Sequence, residues 1–579
     1  MKRKVLLSSM ILAGCAGAAA TTSTIVPGRY GAWPDEGPFK WAPRPTETAI
    51  TANDLRTRLY QIADDSMGGR PMGSLGNYKT TAYIAREFER LGLKPGGDNG
   101  TWFQVLGYGA YAYDSTAATL SVGGQRLVTK RDWMPVTPVE RNSIGGVASV
   151  QNVPTVFAGR WGDESQALSA DALRGKVAVF TMPSLPARVG NRQPTRGVGQ
   201  FASVMDPRAH AAGAAGILVV SLDSVSAAQI NSVFNTRNGM FPQGSGEPAA
   251  AISQAAAERI FGRPISQVAV GTTGQPVTAQ WELKTTLSEH PARNVIAILP
   301  GSDPARAGEY VLVGAHNDHV QPLQTAVEHD SLRAYNKVIR PQGANDRART
   351  PTAEEQARID AMIAHARSVR PARRDSIMNG ADDDGSGTVV LLELAERFAK
   401  EKPARSIIFI SHQGEEAGLL GSQWFVEHPT VPLKSIVAAH NMDMVGKGRV
   451  TDVKFGGPNS VQTLGARRIS PQFGDIIDSV NAIIAEPMAL DKSWDVPANP
   501  LNRFCRSDQV NYVNNDIPTT YFSLGYASDY HQATDEPQYV DYDHTARLGR
   551  FLYEVMTAVA NRHDRPFIAG QDTLYPSCR

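Results

Sequence analysis

Five short segments of the sequence carry histidine and carboxylate side chains that could bind metal ions. Imidazole nitrogen and carboxylate oxygen are both good ligands for zinc. Two zinc ions about 3.5–4 Å apart need one shared carboxylate, which offsets their repulsion, together with terminal ligands on each ion. Two histidines and several carboxylates can supply that set. The segments are 314–319, 380–387, 414–416, 441–444 and 530–536.

These segments lie just after predicted strands or lead into a predicted helix. Apolar and β-branched runs of strand length indicate buried strands of a mostly parallel sheet. Amphipathic helices are predicted at 388–400 and 546–560. The alternation predicts an α/β fold, with a mixed, mostly parallel sheet sandwiched by helices and the active site beyond the carboxyl ends of the strands. The predicted strands are 294–299, 310–314, 406–411, 435–439 and 519–524.

Taken together and in this order, the five segments resemble the di-zinc aminopeptidase family of clan MH, peptidase family twenty-eight. The similarity covers about 54–560. The resemblance implies the zinc-exopeptidase fold and two Zn²⁺ ions as cofactors. It also implies a ligand set, in which His316 and Asp443 bind one zinc ion, Glu416 and His531 bind the other, and Asp383 bridges both.

The resemblance further implies roles for two residues beside the ligands. Glu415 would be the general base and acid, which takes a proton from the attacking water and delivers one to the leaving amine. Asp318 would accept a hydrogen bond from the ring of His316 and orient that ring. Both are therefore candidate catalytic residues.

Two features of the backbone are expected at the same motifs. Adjacent residues on a strand face opposite ways, so Glu415 and Glu416 could not both reach the site from a regular strand. We expect Gly414 to place them beyond the strand, where the chain can turn. The family also carries a cis peptide after its bridging aspartate, which would be the Asp383–Asp384 bond.

Other polar residues near the motifs have plainer interpretations. His319 is expected to lie in a loop or to face the substrate rather than to bind metal. His412 and His440, near strand ends, are expected in the core or in support of the ligands. Asp382 and Asp384 flank the bridging aspartate, and hydrogen-bonding or solvated roles are expected for both.

The first residues, 1–21, are typical of a targeting segment. A basic start is followed by an apolar run too short to span a bilayer, and then by a lipobox-like sequence ending at Cys15. We therefore expect export, either as a periplasmic protein or as a membrane-anchored lipoprotein with a lipid on Cys15. Ordinary cleavage in the alanine-rich stretch after Cys15 is the alternative. Cys505 and Cys578 could pair in an oxidising compartment.

The chain before the ligand motifs is predicted to contain a linker, the start of the peptidase domain and an inserted domain. Residues 22–46 are typical of a linker or surface wrap, and 47–137 are expected to begin the peptidase domain. Segments 173–177 and 211–216 resemble the protease-associated domain, so 138–280 are predicted to be such a β-rich insertion. The alternative for this region is more of the α/β sheet. Residues 281–567 would complete the peptidase domain.

A further insertion, 320–378, separates the first ligand motif from the bridging aspartate. It could form a lid that contacts a peptide carboxylate through bidentate arginine, or it could be a solvated surface excursion, as charge runs usually are. Its helix is predicted at 352–369. Its arginines are Arg333, Arg340, Arg347, Arg349, Arg367, Arg370, Arg373 and Arg374.

Composition narrows the function classes. The 579 residues include 58 basic and 57 acidic ones. With charges so nearly balanced, the protein has no net positive potential that would attract nucleic acid or an anionic membrane surface. We therefore expect an exported zinc-dependent exopeptidase acting on peptides, with aminopeptidase as the leading subtype. A carboxypeptidase or dipeptidase of the same clan and a non-catalytic binding lipoprotein are the alternatives, and a glutaminyl cyclase is disfavoured by the complete ligand set.

Overall fold

The computed structural model describes residues 31–136, 147–182, 212–241, 248–496 and 499–568. These residues form a mixed α/β fold, as the sequence predicted. The predicted signal segment with Cys15 lies outside the described residues, and so does Cys578. Cys505 is disulfide-bonded. None of the described helices combines the length and the apolarity needed to cross a membrane.

A central sheet of nine strands, counted over the described residues, positions the five motifs. Four neighbouring strands in it run parallel, namely Ser406–His412, Tyr310–His316, Ile436–Met442 and Thr519–Ser523. In spatial order the strands are Lys94–Pro95, Arg293–Leu299, Ser406–His412, Tyr310–His316, Ile436–Met442, Thr519–Ser523, Ser460–Gly465 and Ala489–Asp491, with Phe103–Val105 paired to Arg293–Leu299.

Helices cover both faces of this sheet, which explains why its parallel strands are buried along almost their whole length. Successive residues of one strand enter different cores: Val313 packs with the helix Gly387–Lys400, and Leu312 packs on the opposite face with Phe425 and Tyr512. The described α-helices are Ala52–Ile62, Leu75–Arg90, Ala170–Leu173, Ala227–Phe234, Gln254–Phe261, His329–Ile339, Ala353–Val369, Gly387–Lys400, Leu420–Glu427, Ala466–Ile469, Pro471–Ile483, Gln509–Val513 and Tyr542–Asn561.

A second sheet with its own hydrophobic core lies in the middle of the sequence. Its strands begin at Thr119 and end at Trp281, so it includes chain on the N-terminal side of 138. Its assignment to a protease-associated domain and the predicted bounds 138–280 stay predictions. In spatial order its strands are Gln125–Arg126, Thr119–Val122, Thr273–Trp281, Ala148–Arg160, Val177–Thr181, Gly216–Val220, Ala249–Ile252 and Trp133–Pro135; a smaller sheet holds Arg237–Met240, Tyr108–Tyr113 and Leu283–Leu287.

The insertion 320–378 forms two helices, His329–Ile339 and Ala353–Val369, and a short strand pair, Val327–Glu328 with Arg374–Asp375. A capping box at Thr352 and Glu355 explains where the second helix begins. The two helices share a small core with Ala32 and Trp33. The insertion is therefore packed onto the body of the protein.

Most arginines of the insertion already have partners within the protein. Ion pairs form between Arg333 and Asp35, Arg349 and Glu355, Arg367 and Glu328, Arg370 and Asp330, and Arg373 and Glu536. Arg340 and Arg374 donate to backbone oxygens. These contacts hold the insertion in place, and they leave little of its positive charge for a substrate carboxylate.

Candidate metal centre

The carboxyl ends of the parallel strands bring the five motifs to one edge of the central sheet. His316 is the last residue of its strand, and Asp443 directly follows the strand Ile436–Met442. Glu415 and Glu416 come shortly after the strand that ends at His412. The structure therefore places the predicted ligands where parallel strands of an open α/β sheet form their binding crevice.

The first group of ligands consists of His316, Asp383 and Asp443, all of them buried. The Nε2 atom of His316 lies 3.3 Å from Oδ1 of Asp383 and 3.7 Å from Oδ1 of Asp443. These atoms are close enough to bind one ion together, as the resemblance implies. Glu415 lies beside this group, with its Oε2 atom 3.9 Å from the same nitrogen.

The second group contains Asp383, Glu416 and His531, and the structure adds His319 to it. The Nε2 atom of His531 lies 3.1 Å from Oδ2 of Asp383 and 3.0 Å from Glu416. The Nδ1 atom of His319 lies 2.9 Å from Oε1 of Glu416 and 3.7 Å from Oδ2 of Asp383. All four residues face one point.

Asp383 joins the two groups. Its Oδ1 atom faces the first group and its Oδ2 atom faces the second. This is the arrangement that a bridging carboxylate requires. The peptide bond between Asp383 and Asp384 is cis, which confirms the expectation from the sequence.

The turn that carries Glu415 and Glu416 is as expected. Gly414 has a φ of 71°, a conformation that glycine adopts readily, and it directs the chain away from the strand. The carboxylate of Asp318 accepts the backbone N–H groups of Glu415 at 3.1 Å and Glu416 at 3.3 Å. This single side chain therefore holds the proposed base and one ligand of the second group.

The contact between Asp318 and His316 differs from the prediction. The Nδ1 atom of His316 lies 3.2 Å from the backbone oxygen of Asp318 and 3.6 Å from its carboxylate. The two N–H groups of the following turn account for the difference, because they draw the carboxylate toward themselves. Both the backbone oxygen and the carboxylate of Asp318 therefore lie beside Nδ1 of His316, and the backbone oxygen is the nearer of the two.

The donor set fits divalent cations. The described residues include buried polar atoms at the centre with no hydrogen-bond partner, among them Nε2 of His316, both ring nitrogens of His319 and Oδ2 of Asp383. Buried polar groups are almost always paired, and buried charges are paired or bind metal. Unpaired imidazole and carboxylate atoms that converge on two points are therefore best explained as ligands, and two histidine- and carboxylate-rich groups suit zinc.

The electrostatics of the centre reflect crowded carboxylates. Burial raises the pKa of Glu415 well above its ordinary value, and burial also raises the pKa of Asp443. Partial burial alone would lower the pKa of His531, but the carboxylates of Asp383 and Glu416 outweigh that effect and raise it to about 10. So much negative charge at one place is what a cation pair would neutralise.

Two buried cations behind the centre were missed by sequence reasoning. Arg70 is fully buried, and its guanidinium donates to the backbone oxygens of Asn317 and Gly380, so it ties the first two motifs together. Lys447 pairs with Asp535 at 2.7 Å, and Asp535 accepts the backbone N–H of Asp383 at 3.1 Å. Neither Arg70 nor Lys447 lies within a motif that the sequence singled out, whereas Asp535 does.

Flanking polar residues have the supporting roles that the sequence suggested. Asp384 accepts the backbone N–H groups of His316 and Met444, each at 3.1 Å. Asp382 accepts the backbone N–H of Gly446. Nδ1 of His412 lies 3.3 Å from Asp508, so this histidine supports the site from behind the sheet edge.

Comparison with known proteins identifies the family. The model described as Peptidase family M28 matches residues 294–556, which include all five motifs. This part of the chain belongs to peptidase family M28. The sequence-based recognition of the family is thereby confirmed.

Individual relatives match shorter stretches. A probable zinc metalloprotease of Pyrenophora teres f. teres is 27% identical over 209 residues, covering 34% of this chain and 43% of the relative. Leucine aminopeptidase 1 of Trichophyton rubrum is 28% identical over 196 residues, covering 31% of this chain and 48% of the relative. The chain thus covers less than half the length of these curated relatives.

Among solved structures, a zinc aminopeptidase from Bacillus subtilis is similar. It is 17% identical, with 90% of this chain and 98% of that chain covered and a TM-score of 0.40.

Proposed function

We propose that this protein is an exported two-zinc aminopeptidase that removes N-terminal residues from peptides. The observation that carries the proposal is the position of Asp383, whose two carboxylate oxygens face two separate groups of histidine and carboxylate ligands. The aminopeptidase subtype is supported by relatives that bear that name, such as leucine aminopeptidase 1 of Trichophyton rubrum.

In this proposal each zinc ion is held by its own group of ligands, and Asp383 belongs to both groups. His316, Asp383 and Asp443 would hold one zinc ion, and Asp383, Glu416 and His531 would hold the other. When bound, such ions lower the pKa of water and polarise the scissile carbonyl. Everything else in the reaction must come from the side chains of the protein.

Glu415 is placed for the proton transfers. It is not needed to complete either ligand group, and it lies 3.9 Å from His316 at the edge of the first one. It would take a proton from the attacking water and pass one to the leaving amine.

The centre is open to solvent on the side of His531. This side chain is 33% exposed, whereas His316 is 1% exposed. The neighbouring Tyr530 hydroxyl lies 3.5 Å from the exposed Arg506. A peptide would approach the centre from this side.

Arg506 is the observation that keeps a carboxypeptidase or dipeptidase as a second candidate. An exposed guanidinium beside the centre could bind the C-terminal carboxylate of a peptide. The arginines of the insertion add little to this candidate, because most of them are paired within the protein.

One assay separates the two subtypes. Purified protein is incubated with a free peptide and with its N-acetylated form, with and without a chelator, and the products are identified by mass spectrometry. We expect trimming of the free peptide from its N-terminus, protection by the acetyl group, and loss of activity with the chelator. Shortening of the blocked peptide from its C-terminus would reject the aminopeptidase in favour of the second candidate.

Export is a separate part of the proposal and rests on the sequence of residues 1–21 alone. Expression of the full chain in a bacterium, followed by fractionation, should place it in the periplasm or the membrane fraction. Replacement of Cys15 by serine should release a lipid-anchored form from membranes. A protein that stays in the cytosol would contradict the proposal.

A further inference from the structure

We propose that His319 is a direct cation ligand, so that the second ligand group has four protein ligands while the first group has three. The inference rests on the proposed two-zinc centre and goes beyond its five implied ligands. It also revises the expectation that His319 is a loop or substrate-facing residue.

The distances in the second group match one ion among four ligands. Zinc–nitrogen and zinc–oxygen bonds of 2.0–2.2 Å in a tetrahedron place neighbouring ligand atoms about 3.3 Å apart. The separations from Oε1 of Glu416 are 2.9 Å to Nδ1 of His319 and 3.0 Å to Nε2 of His531. Those from Oδ2 of Asp383 are 3.7 Å to His319 and 3.1 Å to His531. The ligand atom of His319 therefore lies close enough to the other three to share one ion with them.

The direction of the ring argues against an ordinary ion pair. Nδ1 of His319 is only 2.9 Å from Oε1 of Glu416, yet it forms no hydrogen bond there, and its Nε2 is also without a partner. Lone pairs that converge on a common ion point toward that ion and not toward each other. His316 shows the same behaviour, since its Nε2 is unpaired 3.3 Å from Asp383.

Burial and two contacts fix His319 in this position. Its side chain is fully buried, and its backbone N–H donates to the backbone oxygen of Arg70 at 3.1 Å. A Cβ atom on Gly380 would lie 2.5 Å from Cγ of the ring, so only glycine leaves room for it. The ring is thus packed directly against Gly380.

Four protein ligands hold an ion more firmly than three, and a site with three keeps a fourth position for water or substrate. The first group has three ligands and the proposed base Glu415 at its edge. We therefore expect the second site to fill first and more tightly, and the first site to hold the more exchangeable ion.

Metal titration tests the inference without reference to activity. The full chain is freed of metal with a chelator and titrated with Co²⁺ in a metal buffer, and bound metal is measured by mass spectrometry and by the visible spectrum. We expect two separate binding steps in the wild type. His319→Ala should weaken the first step by about 100-fold or more, since loss of even an outer partner of a ligand costs about 10–100-fold. His365→Ala, at an exposed helical position, is the control.

A measurement on the wild type guards against a misfolded variant. With one equivalent of Zn²⁺ bound, X-ray absorption should count two imidazole nitrogens on the ion. A single imidazole, or a His319→Ala titration that overlays the wild-type curve, overturns the inference while the two-zinc centre stands. A wild type that binds no divalent cation overturns both.

Discussion

The two ligand groups of the centre are built on different parts of the fold. In the first group, His316 ends a central strand and Asp443 directly follows its neighbour, so the sheet itself sets their distance. In the second group, Glu416 and His531 lie in loops after the strands, and His531 has a φ of 57°. A sheet positions a ligand rigidly, whereas a loop needs contacts of its own to hold one.

For the loop that carries His531, three such contacts come from the insertion 320–378. Asn336 donates to the side chain of Gln532 at 2.6 Å, next to His531. Ala344 donates its backbone N–H to Tyr526, and Arg340 donates to the backbone oxygen of Ser528. The insertion therefore buttresses the loop that carries His531. This contact pattern favours a supporting element over both the lid and the solvated excursion.

Loss of the base Glu415 should abolish most of the turnover without changing metal binding, and this is the largest effect that we expect. Glu415→Gln keeps the shape of the side chain and removes its ability to accept a proton. We expect turnover to fall by about 10²–10⁴-fold while two equivalents of zinc remain bound. Peptide hydrolysis and metal content measured on the same sample check this. Glu354→Gln, at an exposed position, is the control. A variant that keeps its turnover would remove Glu415 from the mechanism.

Asp318 should affect both groups at once, because it holds the backbone of Glu415 and Glu416 and lies against His316. In Asp318→Asn one carboxylate oxygen becomes an NH₂ group that faces a backbone N–H. We expect zinc affinity and turnover to fall by about 10–100-fold. Titration beside the exposed control Asp360→Asn measures the effect. If zinc affinity falls at only one of the two sites, Asp318 does not support both ligand groups.

Removal of the metal should loosen the two groups unequally. The strand Tyr310–His316 is hydrogen-bonded on both sides, so its amides should exchange slowly with or without cations. The loop 526–536 has fewer such bonds, and we expect its exchange to rise about tenfold with chelator, equivalent to about 1.4 kcal/mol. Hydrogen exchange followed by mass spectrometry compares the two segments in one experiment. Equal increases in exchange rate in the strand and in the loop would show that the two ligand groups do not differ in rigidity.

The sequence predicted the sheet and most of the centre, for identifiable reasons. Continuous apolar runs such as 406–411 marked the parallel strands, and the ligand motifs followed their ends. His319 was not recognised as a ligand, because in an irregular segment the spacing from His316 does not fix where the ring points. Arg70 was not recognised either, since only the folded chain brings it against Asn317 and Gly380.

The insertion was the least predictable part. Its many arginines suggested either a lid or a solvated excursion, and composition alone could not reveal their partners. Glu36 and Glu536, which pair with Arg370 and Arg373, are far from the insertion in sequence. Ion pairs across such separations leave no local pattern, so the role of the segment becomes visible only in the fold.

The buttress gives the smallest expected effect and the sharpest test of the comparison. Asn336→Ala removes one hydrogen bond to Gln532 and touches no ligand. A hydrogen bond contributes about 1 kcal/mol, so zinc affinity at the second site should fall about fivefold, with the first site unchanged. Titration against Asn515→Ala, an exposed control, measures this difference. Weakening confined to the first site would show that the insertion does not support His531, whereas the expected pattern would show that the loop-borne half of the centre depends on it.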